Sequence, residues 1–344
     1  MIKKADENTI SNWLSALAGD GKLFGPNAEI DEWGIIKNVS SMGNAFEITF
    51  SPKSIFLPRR QKLFEMDADK PAETIREVLP DIPDGAVLWG LRPCDARALE
   101  LVRRVFNENE IADPYFNAIW NRTIRIALGC SEPQDTCFCT SFVGGNPFGT
   151  QGVDVLATKI ENFFILEPIT KAGEDVVKNF PNADEKDIEK LAQIKKYATG
   201  KVNSSVPTDI ADELLEIFYD VDFWKNSFAN CHGCGNCTEV CPGCYCFDIV
   251  DERNGEKIFK NRVWDSCISE NFTLSIDGEN PRRELYRRQR QRIMHKFSYF
   301  ALRYDGTQLC VGCGRCVQHC PSQIDIGKVV KNAVEENIVE KQTN

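Results

Sequence analysis

Two cysteine runs constrain this chain more than any other feature. Cys231-His-Gly-Cys234-Gly-Asn-Cys237-Thr-Glu-Val-Cys241-Pro242 and Cys310-Val-Gly-Cys313-Gly-Arg-Cys316-Val-Gln-His-Cys320-Pro321 both read C-x2-C-x2-C-x3-C-P, the ligand spacing of paired [4Fe-4S] clusters. Three closely spaced thiolates wrap three corners of one cube. The fourth, lying past a turn, points away and serves the other cube. This crossover assigns Cys231, Cys234, Cys237 and Cys320 to one cluster, and Cys310, Cys313, Cys316 and Cys241 to the second. Gly233, Gly235, Gly312 and Gly314 let the backbone bend tightly and turn N–H groups toward sulfur. Proline after the fourth cysteine suits the first turn of a helix, where its missing N–H costs nothing. A disulfide framework or paired zinc sites are the competing readings, but structural zinc more often shows separated C-x2-C pairs with histidine among the ligands. His232 and His319 fall inside the runs and read as surface groups or as groups hydrogen-bonded behind the ligands.

The chain has 344 residues, 42% of them apolar, enough for two or three domains with a real core. Its formal charge is −10, and each oxidised cubane with its four thiolates adds about −2, so nucleic acid is not an expected partner. Fifteen cysteines would suggest disulfides in a secreted protein. The segment Met1-Ile-Lys-Lys-Ala-Asp-Glu-Asn instead leads into an amphipathic pattern without a signal-peptide apolar core. No apolar run is long enough to span a bilayer. The expectation is a cytoplasmic protein in a cell that keeps its clusters away from oxygen.

Along the chain, Ile10, Trp13, Leu14 and Leu17 have helical spacing, with Trp13 as core. Residues 28–50 read as short strands, with Phe46, Ile48 and Phe50 alternating against Glu47 and Thr49. A strand follows around 62–66, then a short helix over 71–79. A buried strand over 86–91 runs into Arg92-Pro93-Cys94-Asp95, where Asp95 can cap the helix that continues through Ala98, Leu101, Val102 and Val105. A second strand over 123–128 runs into Gly129-Cys130 and then Thr136-Cys137-Phe138-Cys139. Strand, helix, strand in this order predicts a partly parallel α/β sheet, with both sets of cysteines at carboxyl strand ends, where ligands collect. Single buried cysteines behave as small hydrophobes. Four at strand ends make Cys94, Cys130, Cys137 and Cys139 a candidate site for a third [4Fe-4S] cluster, with zinc the alternative, and Arg92 is placed to offset its charge.

A hairpin is expected over 153–169 and mostly helix over 174–219. The predicted organisation is an α/β domain over 1–222 and a mainly helical, dicluster ferredoxin-like domain over 223–344 with a long insertion at 242–309. That insertion carries Gly243-Cys244-Tyr-Cys246, an Asn254-Gly255 turn and Trp264-Asp-Ser-Cys267. It also carries a basic helix with Arg282, Arg283, Arg287, Arg288, Arg290, Arg292 and Lys296. Such a run is usually a solvated face; in an acidic chain it is equally suited to screening clusters or docking a partner. Cys244, Cys246 and Cys267 remain over, expected as buried non-ligands beside a cluster, or as substitutes for one of the assigned ligands.

The chain resembles the family that contains the sulfhydrogenase beta subunits and the corresponding iron–sulfur subunits of anaerobic sulfite reductases. The resemblance is carried by Gly90-Leu-Arg-Pro-Cys94-Asp95, Gly129-Cys130 with Thr136-Cys-Phe-Cys139-Thr, Cys241-Pro-Gly-Cys-Tyr-Cys246, Trp264-Asp-Ser-Cys267 and the paired runs, from about Ser51 to the end of the second run. It implies an electron-wire component of a hetero-oligomer, working beside a separate flavin- and nicotinamide-binding partner and a catalytic redox subunit. The residues agree: no Gly-rich dinucleotide fingerprint follows a strand, Gly144-Gly-Asn-Pro-Phe-Gly149 having the wrong spacing, and there is no hydrogenase-type pair of C-x2-C nickel ligands. No Ser-His-Asp or paired-carboxylate constellation stands out. The rival reading is a redox enzyme whose N-terminal cysteines hold an open-coordination cluster, or a zinc, that binds substrate directly.

Overall fold

In the computed structural model, residues 1–108, 111–202 and 204–343 are described, with 336–343 as backbone only. The strands are β1 (Lys3–Asp6), β2 (Leu23–Asn27), β3 (Glu32–Ile35), β4 (Arg60–Asp67), β5 (Arg76–Glu77), β6 (Ala86–Leu91), β7 (Thr123–Leu128), β8 (Val155–Ile160), β9 (Phe163–Pro168), β10 (Phe247–Asn254) and β11 (Lys257–Trp264). Seven of them form a mixed sheet in the order β1-β9-β8-β7-β6-β2-β3. Its centre, β2-β6-β7-β8, is parallel, and antiparallel strands close both edges. Every residue of β6 is buried, as a strand covered on both faces requires. Ala86 and Leu88 pack with Phe56, Phe116 and Trp120 on one face. Val87 and Trp89 pack on the other against the helix Glu7–Gly19, where Trp13 meets the Trp89 and Phe180 rings edge-on.

Two expectations need correction. Residues 46–50 form turns rather than a strand: the Asn44 side chain accepts the Phe46 N–H, and the Asn44 carbonyl accepts from Glu47 and Ile48, so local bonding displaces a ladder. The helix expected over 71–79 stops at Thr74, and Arg76–Glu77 becomes the short edge strand β5.

The remainder is a helical dicluster region. Helices Ala211–Glu216, Val221–Ser227, Leu285–Met294 and Ile326–Thr343 enclose a core of Leu214, Trp224, Ile293, Phe297 and Val330. The basic helix runs on through a π-helical turn at His295–Tyr299. A second sheet, β10-β11-β4-β5, joins strands from either side of residue 222. Along it Arg262 of β11 is buried, pairs with Asp113 at 2.7 Å and donates through Nε to Gln61 Oε1 at 3.0 Å. The hairpin inserted between the two cysteine runs is thus paired to the N-terminal half.

Candidate metal centres

Strand β6 ends at Leu91, and the helix Pro93–Val105 begins at once, with proline in its first turn. Cys94 therefore sits at the junction, at the carboxyl edge of the parallel strands. Cys130 follows β7 by two residues, and Cys137 and Cys139 come from the loop beyond. The fold brings all four to one recess of about 440 Å³, whose wall also includes Arg92, Glu132, Gln134, Gly312 and Cys313. Asp95 does not cap its helix from the N-cap position. It is the third helical residue, where its carboxylate accepts the Arg92 N–H at 3.4 Å. The same carboxylate takes the Arg315 guanidinium in a two-pronged ion pair, with Nη2 2.8 Å from Oδ2. Both partners are at most 1% exposed. The helix that carries Cys94 is thereby locked to the run that carries Cys313 and Cys316.

The fourth cysteine of the second run meets the first three of the first. Cys231, Cys234, Cys237 and Cys320 line one recess of about 380 Å³, together with Gln289, Arg292 and Cys316. Cys241 lies electrostatically beside Cys310, Cys313 and Cys316, and also acts on Cys237 of its own run. Because Cys313 walls the N-terminal recess and Cys316 walls the Cys231 recess, the group Cys310, Cys313, Cys316 and Cys241 stands between the other two. The Cys137 thiol even donates to the Cys313 carbonyl at 3.7 Å.

Burial pushes the thiols of Cys130, Cys139 and Cys316 up to about 12 and Cys310 to about 11, since low dielectric disfavours the anion. Iron bound there would be held by the thiolate form, with that proton displaced. The chain supplies the cations to balance it. The basic helix is only partly a solvated face: Arg288, Arg292 and Lys296, each four residues apart, are buried, as one helical stripe. Lys296 Nζ donates to Cys241 Sγ at 3.2 Å, and Gln289 Nε2 to Cys231 Sγ at 3.1 Å. Burial opposes the charges of Arg292 and Lys296, yet neighbouring thiolates hold both well above their ordinary ranges. Arg292 Nε and Nη2 and Arg97 Nη1 are buried without a hydrogen-bond partner among the described residues. Arg292 faces the Cys231 recess, and Arg97 lines a smaller cleft with Cys94 and Cys139. Unpartnered buried cations beside neutral thiols would be costly; beside clusters of charge about −2 they are satisfied. The cysteine sites therefore fit [4Fe-4S] groups. Backbone N–H groups of Gly233 and Ile324 add bonds to Cys231 and Cys320 sulfur at 3.4 and 3.3 Å.

The sequence reading named the cysteines but missed Gln289 and Lys53 as partners of this region. The four-residue spacing of Arg288, Arg292 and Lys296 was the signal that a buried stripe existed. His319 and His232 sit beside the cysteines; the His319 carbonyl accepts from Asn236 at 3.4 Å, and the His319 backbone N–H donates to the Arg315 carbonyl. Cys244, Cys246 and Cys267 come together near Cys241.

Fold and cysteine geometry define an iron–sulfur protein with an α/β half and a helical dicluster half, and residues 230–324 match the 4Fe-4S dicluster domain family. The chain carries two [4Fe-4S] clusters and is an iron–sulfur electron-transfer protein. It is 26% identical over 296 residues, 84% of this chain and 84% of the relative, to sulfhydrogenase 2 subunit beta of Pyrococcus furiosus, a similarity in line with the resemblance its motifs carry. No described helix is long and apolar enough to cross a membrane.

Proposed function

We propose that this chain is the electron relay of a hetero-oligomeric, cytoplasmic redox complex, connecting a flavin- and nicotinamide-binding subunit to a catalytic redox subunit. Three groups of cysteines would hold its clusters: Cys231, Cys234, Cys237 and Cys320; Cys310, Cys313, Cys316 and Cys241; and Cys94, Cys130, Cys137 and Cys139. The observation that carries the reading is the shared walls, Cys313 in one recess and Cys316 in the other, which support a linear order with the second group in the middle. When bound, the clusters supply one-electron redox capacity. The side chains hold and tune it: the cysteines fix the spacing, Lys296 and Gln289 donate to sulfur, Arg292 screens charge, and the Asp95–Arg315 pair holds the N-terminal recess against the dicluster region.

Iron and acid-labile sulfide on anaerobically purified protein, with EPR after reduction, test this. About twelve irons per chain supports three cubanes. About eight irons with one zinc, together with substrate-dependent spectral change at the N-terminal site, would move the reading to the rival, a redox enzyme acting through an open-coordination metal. The relative's name marks it as one subunit of several; anaerobic size-exclusion of native material shows whether this chain also travels in company.

A further inference from the structure

Three cysteines stand outside the three groups, and their surroundings are not those of small hydrophobes. Cys246 immediately precedes β10, and Cys267 follows β11 by three residues. The two strands pair Phe247 with Trp264, and the Cys246 carbonyl accepts the Asp265 N–H at 3.0 Å, so the base of the hairpin draws the two cysteines together. Each thiol is the largest single influence on the other's proton. Cys267 is buried and Cys246 half-buried.

A buried cation serves this spot. Lys53 is 4% exposed, and its Nζ donates to the carbonyls of Thr238 at 2.8 Å and Cys244 at 3.2 Å while lying 4.1 Å over the Trp264 ring. No described carboxylate is within ion-pair distance of it. Burial lowers its proton affinity, an effect that the nearby Cys244 and Cys241 sulfurs offset only in part. Lys53 and Lys296 both also favour the Cys246 anion, after the hydrogen bond from Cys267, which is the largest influence. A thiolate that accepts from a second thiol is poised for sulfur–sulfur bond formation.

We infer that Cys246 and Cys267 are a redox-active dithiol that closes to a disulfide, a two-electron site at the base of the inserted hairpin beside the cluster ligands. On closure the Cys246 thiolate and the Cys267 thiol form one S–S bond and release one proton to solvent. Two electrons leave, one each, to two equivalents of a one-electron carrier of the iron–sulfur class. Opening reverses each of these changes. The pair thus lets a chain of one-electron carriers store a two-electron equivalent. It rests on the proposed relay only for the identity of that carrier.

The test uses the full-length, anaerobically purified chain, equilibrated over a series of reduced-to-oxidised dithiothreitol ratios, acid-quenched, alkylated and mapped by mass spectrometry. The expected result is a Cys246–Cys267 crosslink that appears in a single two-electron transition, tenfold in ratio for each ~30 mV. It disappears in Cys267→Ser while iron content and cluster EPR stay at parent levels. Full alkylation of both cysteines at every ratio overturns the inference. So does a crosslink through Cys244, or a loss of about four irons in Cys246→Ser or Cys267→Ser, which would make them cluster ligands. Iron count and EPR on the same samples report on the relay separately, so either reading can fail without the other.

Discussion

The two halves of the molecule gather thiols by opposite means. In the dicluster half, a short run of chain carries three cysteines of a group, and the other run, beyond the long insertion at 242–309, supplies the fourth. In the N-terminal half, Cys94, Cys130, Cys137 and Cys139 arrive from two strand ends and a loop, and nothing local holds them together. The first arrangement is built into covalent spacing; the second exists only when the sheet, and its contact with the second run, are formed. The N-terminal site is therefore the more dependent on tertiary packing, and the contact at Gly312 and Arg315 is where the dependence is concentrated.

The largest effect that would break this contrast is on iron. Cys137→Ser should remove about four irons and leave the EPR of the dicluster half intact. Cys313→Ser, on the shared wall, should perturb both halves. Equal, local losses from the two variants would contradict the shared-wall geometry. Next in size, Asp95→Asn strands the fully buried Arg315 and should cost about 3–5 kcal/mol in unfolding free energy, read from the denaturant midpoint. Metal at the proposed N-terminal site should be lost before the dicluster signals as denaturant rises.

A pair of glycine substitutions sharpens the same comparison. Gly233 and Gly312 occupy equivalent places in the two runs, with φ of +70° and +63°, so alanine at either carries a similar backbone strain of about 1–2 kcal/mol. A Cβ at Gly312 would also lie 2.5 Å from the Phe138 backbone carbon, whereas at Gly233 the nearest atom is a flexible Leu285 methyl at 3.3 Å. Gly312→Ala should therefore be less stable than Gly233→Ala by about 1–3 kcal/mol, measured by thermal or chemical denaturation. The smallest effect is electrostatic. Lys296→Gln removes a cation bonded to Cys241 sulfur and should lower the potential of the central cluster by roughly tens of millivolts. The potential of the proposed N-terminal cluster should hardly move, as followed by EPR-monitored redox titration.

Much of this was legible in residues. Strand β6 begins and ends where its apolar run does, because a strand buried on both faces needs no alternation to announce it. The proposed crossover of Cys241 and Cys320 is drawn from spacing alone. Residues 46–50 misled because alternation of Phe46, Ile48 and Phe50 is also compatible with turns once Asn44 bonds its own neighbours. The burial of Arg288, Arg292 and Lys296 was encoded in their four-residue spacing, but a charged stripe does not reveal which face is turned inward.

What sequence by itself decided is the chemistry: thiolates at cluster spacing, in a chain similar to an iron–sulfur subunit, with no dinucleotide fingerprint. Only the tertiary structure decided the order of the three cysteine groups, the pairing of the inserted hairpin with β4, and the meeting of Cys246 with Cys267. The reason is physical. Ligand spacing is set by a few covalent bonds, whereas the arrangement of groups depends on contacts between segments about 200 residues apart, such as Asp95 with Arg315, and only the folded core brings those together.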